Sequence, residues 1–255
     1  MKNNLVNNFK KNGVVQLEVF NNLQIELVKK EILNKLNKPY KKLDIKKLDF
    51  FNKKEINNNI ISKLLNPLKR YIDFKKKIFL SETFKSNINK FLKEYWGNGI
   101  SDCKILWVGP RKTNLLKNNK IGFRIVVPNK KKQRTTIHTD AISKYFDSFV
   151  TLWIPLLGFN SLYTPGYSKK SHLRYHPKEI YQNQFNSKAL NYIRKFKFTR
   201  PIVRIGNGII HHPNILHGNG VNLGNMNRVS IEIRIFNLKK YKISQIYDKK
   251  FFSYF

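Results

Sequence analysis

A chain of 255 residues, 41% hydrophobic and 13% aromatic, carries enough apolar material for one well-buried domain. No apolar run approaches the roughly 20 residues of a membrane span, and Met1–Asn8 lacks the apolar centre of a secretory signal. The lone Cys103 excludes an internal disulfide and suits a reducing, cytoplasmic setting.

Fifty Lys+Arg against 15 Asp+Glu leave a formal net charge of +35, which raises an acidic partner: nucleic acid, an anionic substrate or a membrane surface. Forty of the fifty are lysines, spread among abundant Asn and Ile, and only Lys75–Lys77 and Lys130–Lys132 form runs of three. Compositional drift explains such a spread better than a dedicated nucleic-acid face does.

In chain order, Phe9–Leu17 reads as a short opening strand, with a turn at Asn12-Gly13 before a β-branched run. Apolar residues at helical spacing predict amphipathic helices over Asn22–Asn37, over residues 55–72 with an interruption at Pro67, and over Glu82–Tyr95. Trp96-Gly97-Asn98-Gly99 ends the third. The character then changes to short β-rich segments at Lys104–Val108, Gly122–Val127, Thr135–His138, Phe149–Leu156, Pro201–Ile205, Gly208–His211 and Val229–Phe236. One helical insertion falls near Ser187–Phe196. Helices followed by many strands predict a β-sandwich or barrel with N-terminal helical support. No repeat or linker divides the chain. The expectation is a single domain over 1–255: helical support at 1–99, a β core at 100–236 and a tail at 237–255.

Within Gln133–Asp140, read as extended, His138 and Asp140 sit two positions apart and project from one face. An imidazole and a carboxylate on one face are two legs of a 2-His-1-carboxylate iron site. His217 is the foremost candidate for the third; His172, His176, His211 and His212 are the alternatives. Farther on, Arg228–Ile235 alternates, with Arg228, Ser230, Glu232 and Arg234 on the face opposite the aliphatic residues. That face is either solvent or the wall of a polar cavity. In a cavity, Arg228 is placed to grip a carboxylate bidentately, with Ser230 adding a hydroxyl.

Five blocks in order carry a resemblance: His138-Thr139-Asp140, Val150–Leu156, Thr164-Pro165-Gly166 with Ser171-His172, Gly206–Gly220, and Arg228-Val229-Ser230. Together they resemble the phytanoyl-CoA dioxygenase superfamily of Fe(II)/2-oxoglutarate oxygenases, including the eleven-residue step from His217 to Arg228. The resemblance implies an α+β, mainly β fold: a double-stranded β-helix (jelly roll, cupin-like) with supporting N-terminal helices. It implies Fe(II), 2-oxoglutarate and O2 as cofactor and cosubstrates. His138, Asp140 and His217 would bind the iron, and Arg228 the distal carboxylate of 2-oxoglutarate, with Ser230. Trp153 matches an aromatic position beside the cosubstrate, Asn219 a small polar position after the distal histidine, and Arg124 is placed to face the mouth. The sequence departs from the family in its stretched Pro165–His172 turn, in Asn207 where an acidic residue is usual, and in His211 where an aromatic is common.

By the same resemblance, an intact Asp140 points to hydroxylation, desaturation or ring closure rather than halogenation. The expected substrate is a small polar metabolite, anionic or carbohydrate-linked. Nucleic-acid demethylation is the second enzymatic reading, prompted by charge and the Arg228-x5-Arg234 spacing. A non-catalytic binding protein on the same barrel is the third.

Overall fold

The computed structural model describes residues 4–37, 71–73, 82–107, 120–128, 136–141, 148–181, 186–218 and 220–239. The chain begins with helix α1 (Leu5–Asn12), where the sequence predicts the start of a strand. Asn4 caps it, accepting from the backbone N–H groups of Val6 and Asn7. Gly13, at φ 75°, ends it in the left-handed conformation, with its N–H on the Phe9 carbonyl. Val6 and Phe9 are the only buried residues of this short stripe, too few for a helical period to stand out from sequence.

Strand β1 (Val14–Glu18) follows, then helix α2 (Asn22–Asn37), short strand β2 (Tyr71–Asp73) and helix α3 (Glu82–Trp96). The helix predicted over 55–72 falls outside the described residues, apart from Tyr71 and Ile72, which lie in β2. Strands β3 (Cys103–Trp107), β4 (Lys120–Val126), β5 (Phe149–Leu157), β6 (Gly166–Tyr167), β7 (Asn207–His211), β8 (His217–Gly218) and β9 (Arg228–Asn237) complete the β elements. Two further helices, α4 (Lys178–Tyr181) and α5 (Ser187–Ile193), lie in the insertion before β7.

Two expected strands are absent. Pro201–Ile205 has no strand pairing of its own, although Val203 donates to the Phe159 carbonyl. Around the His-x-Asp triplet, Thr136–Asp140 is bent, and an isolated bridge joins His138 to His217. Both segments are apolar and β-branched enough to read as strands, yet no neighbour offers them a full ladder.

Seven strands form an antiparallel sheet in the order β1-β7-β5-β9-β4-β2, with β3 also paired to β9. The second sheet is small: β6 pairs with β8, and single bridges attach His138 and Thr199. This is a jelly-roll arrangement, one broad sheet facing a short one.

Alternation decides the two faces of the broad sheet. Its outer face carries Leu152, Ile154, Ile210, Ile231, Ile233 and Ile235, all buried under α1, α2 and α3. Phe9 from α1 meets Phe91 and Tyr95 of α3 edge-on at 5.1 and 5.0 Å. Removing the Phe9 ring from water contributes roughly 1.5–3 kcal/mol, of the order that each fully buried large side chain supplies. With the outer face sealed by helices, the inner face is free to carry polar chemistry. Register puts Arg234 opposite Thr151, Glu232 opposite Trp153, Ser230 opposite Arg124, and His211 opposite Thr151, so all of these share that inner face. The polar face of β9 is therefore an internal wall, not a solvent face. Among the described residues no helix is long and apolar enough to cross a membrane.

Candidate metal centre

His138, Asp140 and His217 converge, with one ligand atom from each within 4.8 Å of the others. The single bridge between His138 and His217 does the positioning: each backbone N–H donates to the other residue's carbonyl, at 2.8 and 2.9 Å. Asp140 Oδ1 stands 3.9 Å from Nε2 of His138 and 3.9 Å from Nε2 of His217. The carboxylate itself is clamped. Thr151 donates its hydroxyl to Oδ2 at 2.6 Å, and Arg234 Nη2 donates to Oδ1 at 2.7 Å.

The ring tautomers follow from their partners. Nδ1 of His138 faces the Thr136 carbonyl at 2.7 Å, and Nδ1 of His217 the Ile215 carbonyl at 3.0 Å. A carbonyl can only accept, so both protons sit on Nδ1 and both Nε2 lone pairs are left for a ligand. Burial, followed by the neighbouring histidine, pushes each of these imidazoles down to about 4, so both are neutral at pH 7. Burial alone would raise the Asp140 carboxyl. Arg234, and then the three nearby histidines, outweigh it and hold the group well below the usual carboxylate range. Two neutral imidazoles and one ionised carboxylate form a donor set suited to Fe(II), Zn(II) or Mn(II).

This protonation pattern has a measurable consequence. Folded, His138, His211 and His217 stay neutral down to about pH 4, whereas an unfolded histidine protonates near 6.5. The unfolded chain therefore binds more protons within that window, and stability falls as pH drops from about 6.5 toward 4. Thermal melts of metal-free protein across the window should show Tm falling progressively with pH. A flat profile would mean that the imidazoles are not buried as neutral bases.

Beyond the triad, Arg228 is wholly buried. Its Nη1 donates to the Tyr163 carbonyl at 2.8 Å, while Nε and Nη2, the side-on edge of the guanidinium, have no partner among the described residues. Burial, then Arg124 and Arg200, brings its pKa down to about 9, so it remains a cation at neutral pH. An unpaired buried edge of this kind costs free energy until an anion accepts from both nitrogens. Ser230 is buried beside it, and Trp153 packs with Tyr167, Val203, Ile209 and Ile215. Arg124 lies across from Ser230 on β4. Asn219 lies outside the described residues.

Of the alternative histidines only His211 reaches the triad. Its Nε2 is 3.9 Å from Asp140 Oδ2, and its ring centre is 4.4 Å from that of His217. His172 donates to the Lys10 carbonyl, His176 bonds the Tyr192 hydroxyl and the Asn214 carbonyl, and His212 accepts from the Asn214 N–H. Those three hold loops together. Thr151, Tyr167, Glu232 and Arg234 belong to the site although the sequence did not assign them. The Tyr167 hydroxyl is buried with no partner among the described residues, and its ring stacks on His217 at 5.9 Å. Glu232 is raised to about 7 by burial and then by Asp140, against the pull of Arg234, Arg124 and Arg228. For Glu232 and Arg234 the signal was present, since the alternation of β9 places both on the face of Arg228.

The fold is a double-stranded β-helix supported by N-terminal helices, a class shared with a group of non-heme iron enzymes of known structure. The non-heme alpha ketoglutarate dependent carbocyclase SnoK from nogalamycin biosynthesis matches at a TM-score of 0.58, over 93% of this chain and 84% of its own, with 12% identity. The epimerase SnoN, in complex with Fe3+, alpha ketoglutarate and nogalamycin RO, matches at 0.55 over 91% and 82%, with 15% identity. AviO1 from Streptomyces viridochromogenes Tue57 matches at 0.56 over 91% and 93%, with 13% identity. At such identities the likeness is one of fold. No protein-family model and no curated protein matches the sequence.

Proposed function

We propose that this chain is an Fe(II)- and 2-oxoglutarate-dependent oxygenase. The observation that carries the reading is the pairing of two neutral imidazoles and a clamped carboxylate with a buried arginine whose Nε–Nη2 edge has no partner among the described residues. The donor set fits iron and the open edge fits a carboxylate, which are the two requirements of that chemistry. Fe(II), when held by His138, Asp140 and His217, would supply dioxygen activation coupled to decarboxylation of 2-oxoglutarate to succinate and CO2, with the second oxygen atom available to a substrate.

The chain's own residues do the rest. Arg228 receives the distal carboxylate on its open edge, with the Ser230 hydroxyl close by on the same strand face. Trp153 forms an apolar wall, and the unpartnered Tyr167 hydroxyl is a second neutral donor inside the site. The Nδ1–H bonds of His138 and His217 keep the ring planes fixed while Nε2 binds. Burial of these groups excludes bulk water, so the charge of Arg228 acts at low dielectric.

For the substrate, we favour a small polar metabolite, carbohydrate-linked or anionic, and hydroxylation as the outcome. SnoN, which shares the fold, was captured with nogalamycin RO, a small-molecule ligand. A carbocyclase and an epimerase share this fold, so the fold by itself does not fix the outcome. Anaerobic titration with Fe(II) and 2-oxoglutarate should produce a metal-to-ligand charge-transfer band, and admitting O2 should release succinate. Protein that binds Fe(II) but never develops the band would overturn the proposal.

A further inference from the structure

Glu232 is the one residue of β9 that is not buried, whereas Arg228, Ser230 and Arg234 on the same face are. Its carboxylate therefore faces the open interior of the site. Among the described residues it makes no hydrogen bond or ion pair. The two arginines of its own strand are engaged elsewhere: Arg234 holds Asp140, and Arg228 donates to the Tyr163 carbonyl. Together with Arg124 they act on Glu232 only through their charge.

Position along the strand limits what this carboxylate can meet. Four residues, about 13 Å of strand, separate Glu232 from Arg228, so it does not compete for the distal carboxylate of 2-oxoglutarate. It stands two residues from Arg234, at the end of the wall that carries Asp140, whose charge it feels. An ionised carboxylate only accepts hydrogen bonds. Fe(II), dioxygen and 2-oxoglutarate bring no donor, so the donor has to arrive on the substrate. Charge decides which donor. Arg124, Arg228 and Arg234 against Asp140 and Glu232, three less two, leave the wall one positive charge, and a divalent ion and the 2-oxoglutarate dianion cancel. An ammonium would add to that excess in a poorly screened site, and an anionic group would meet Glu232 head on. Neutral hydroxyls do neither, and two on adjacent carbons match the two oxygens of one carboxylate. Their hydrogen bonds favour the ionised form, which burial and then Asp140 disfavour.

We propose that Glu232 is a substrate-recognition residue and that the substrate is a neutral polyol, held through a vicinal pair of hydroxyls. The inference rests on the oxygenase reading of the site. It narrows the substrate from polar metabolites in general to neutral, hydroxyl-bearing ones, and sets the anionic alternative aside.

Three probes built on one sugar ring separate the cases: methyl α-D-glucopyranoside, which is neutral, D-glucosamine, which is cationic, and D-glucuronate, which is anionic. Each is titrated anaerobically into protein loaded with Fe(II) and 2-oxoglutarate, and binding is read from the displacement of the charge-transfer band. The neutral glucoside should bind at least about tenfold more tightly than either charged probe. Glu232→Gln keeps the size and removes the charge. There the glucoside should weaken by about tenfold or more, while 2-oxoglutarate affinity stays within about threefold of the wild type. Tightest binding by glucosamine or by glucuronate would overturn the neutral class, and so would equal binding of all three. A loss of 2-oxoglutarate affinity in Glu232→Gln as large as the loss for the glucoside would show that Glu232 only supports the wall. The wild-type series stands whether or not the variant folds. A band that forms and that no probe perturbs would overturn the recognition site and leave the oxygenase reading standing. No band at all would remove both.

Discussion

His138→Ala should lose Fe(II) binding by more than about 100-fold, exceeding the 10–100-fold typical of residues that only support a ligand. The charge-transfer band with 2-oxoglutarate should vanish, and succinate release should fall below detection. The reason is geometric: the remaining imidazole and carboxylate offer two donors where the ion needs three on one face. His138 is the most informative of the three ligands to remove. Its side chain is the most exposed of the triad, at 14% against 2% for Asp140, and it gives up only one hydrogen bond, to the Thr136 carbonyl. The apo variant should therefore melt close to the wild type. Asp140→Ala is the less clean experiment, because it leaves Arg234 buried without its carboxylate, a break that typically costs about 3–5 kcal/mol. Circular dichroism alongside metal titration separates the two cases. An unaltered Fe(II) affinity in folded His138→Ala would remove this histidine from the ligand set and favour His211.

The second large effect is expected at Arg228. Arg228→Gln replaces a guanidinium edge with a single neutral amide, losing two charge-assisted hydrogen bonds to a carboxylate at about 1.5–3 kcal/mol each. The affinity for 2-oxoglutarate should fall by about two to four orders of magnitude. Fe(II) binding in the absence of 2-oxoglutarate should change little, since Arg228 touches none of the three ligands. The deficit should appear in the KM for 2-oxoglutarate far more than in kcat at saturation. Folding contributes less to this phenotype than usual for a buried arginine, because among the described residues the one bond lost is that from Nη1 to the Tyr163 carbonyl, and an edge with no partner there is removed with it. A variant with normal 2-oxoglutarate affinity would mean that the distal carboxylate is held elsewhere, with Arg124 the nearest alternative across β4 and β9.

Much of the molecule could be anticipated from residue order. Helices α2 and α3 lie where apolar spacing predicts them, and in α3 the predicted stripe Phe84, Ile88, Phe91 and Leu92 is the buried one. In α2 the spacing points to Leu23, Leu27 and Ile32, whereas the fold buries Ile25, Val28 and Ile32 and leaves Leu23 and Leu27 exposed. Strands β5 and β9 fall where β-branched and aromatic runs predicted them. The opening segment was only half legible. Gly13 marked the turn, but the helix before it depends on Asn4 as cap and on Phe9 finding Phe91 and Tyr95, residues more than eighty positions away.

At the site the same division holds. The sequence placed an H-x-D pair, a later histidine and an arginine on an alternating strand, and these residues do come together around one inner wall. It did so with the wrong local picture, since His138 and Asp140 converge through a bend and one bridge, not through a strand. Local alternation sorts side chains into two faces but does not say which face is covered, because covering is done by other elements. Only the packing of α1, α2 and α3 on the aliphatic side turned the face of Arg228, Ser230, Glu232 and Arg234 inward. Tertiary structure alone also put Arg234 on the carboxylate of Asp140, 94 positions away, and brought His211 within 3.9 Å of it. The residue types of the proposed ligand set were therefore written in the sequence. Their charge environment was set by pairings between distant strands that no local pattern encodes.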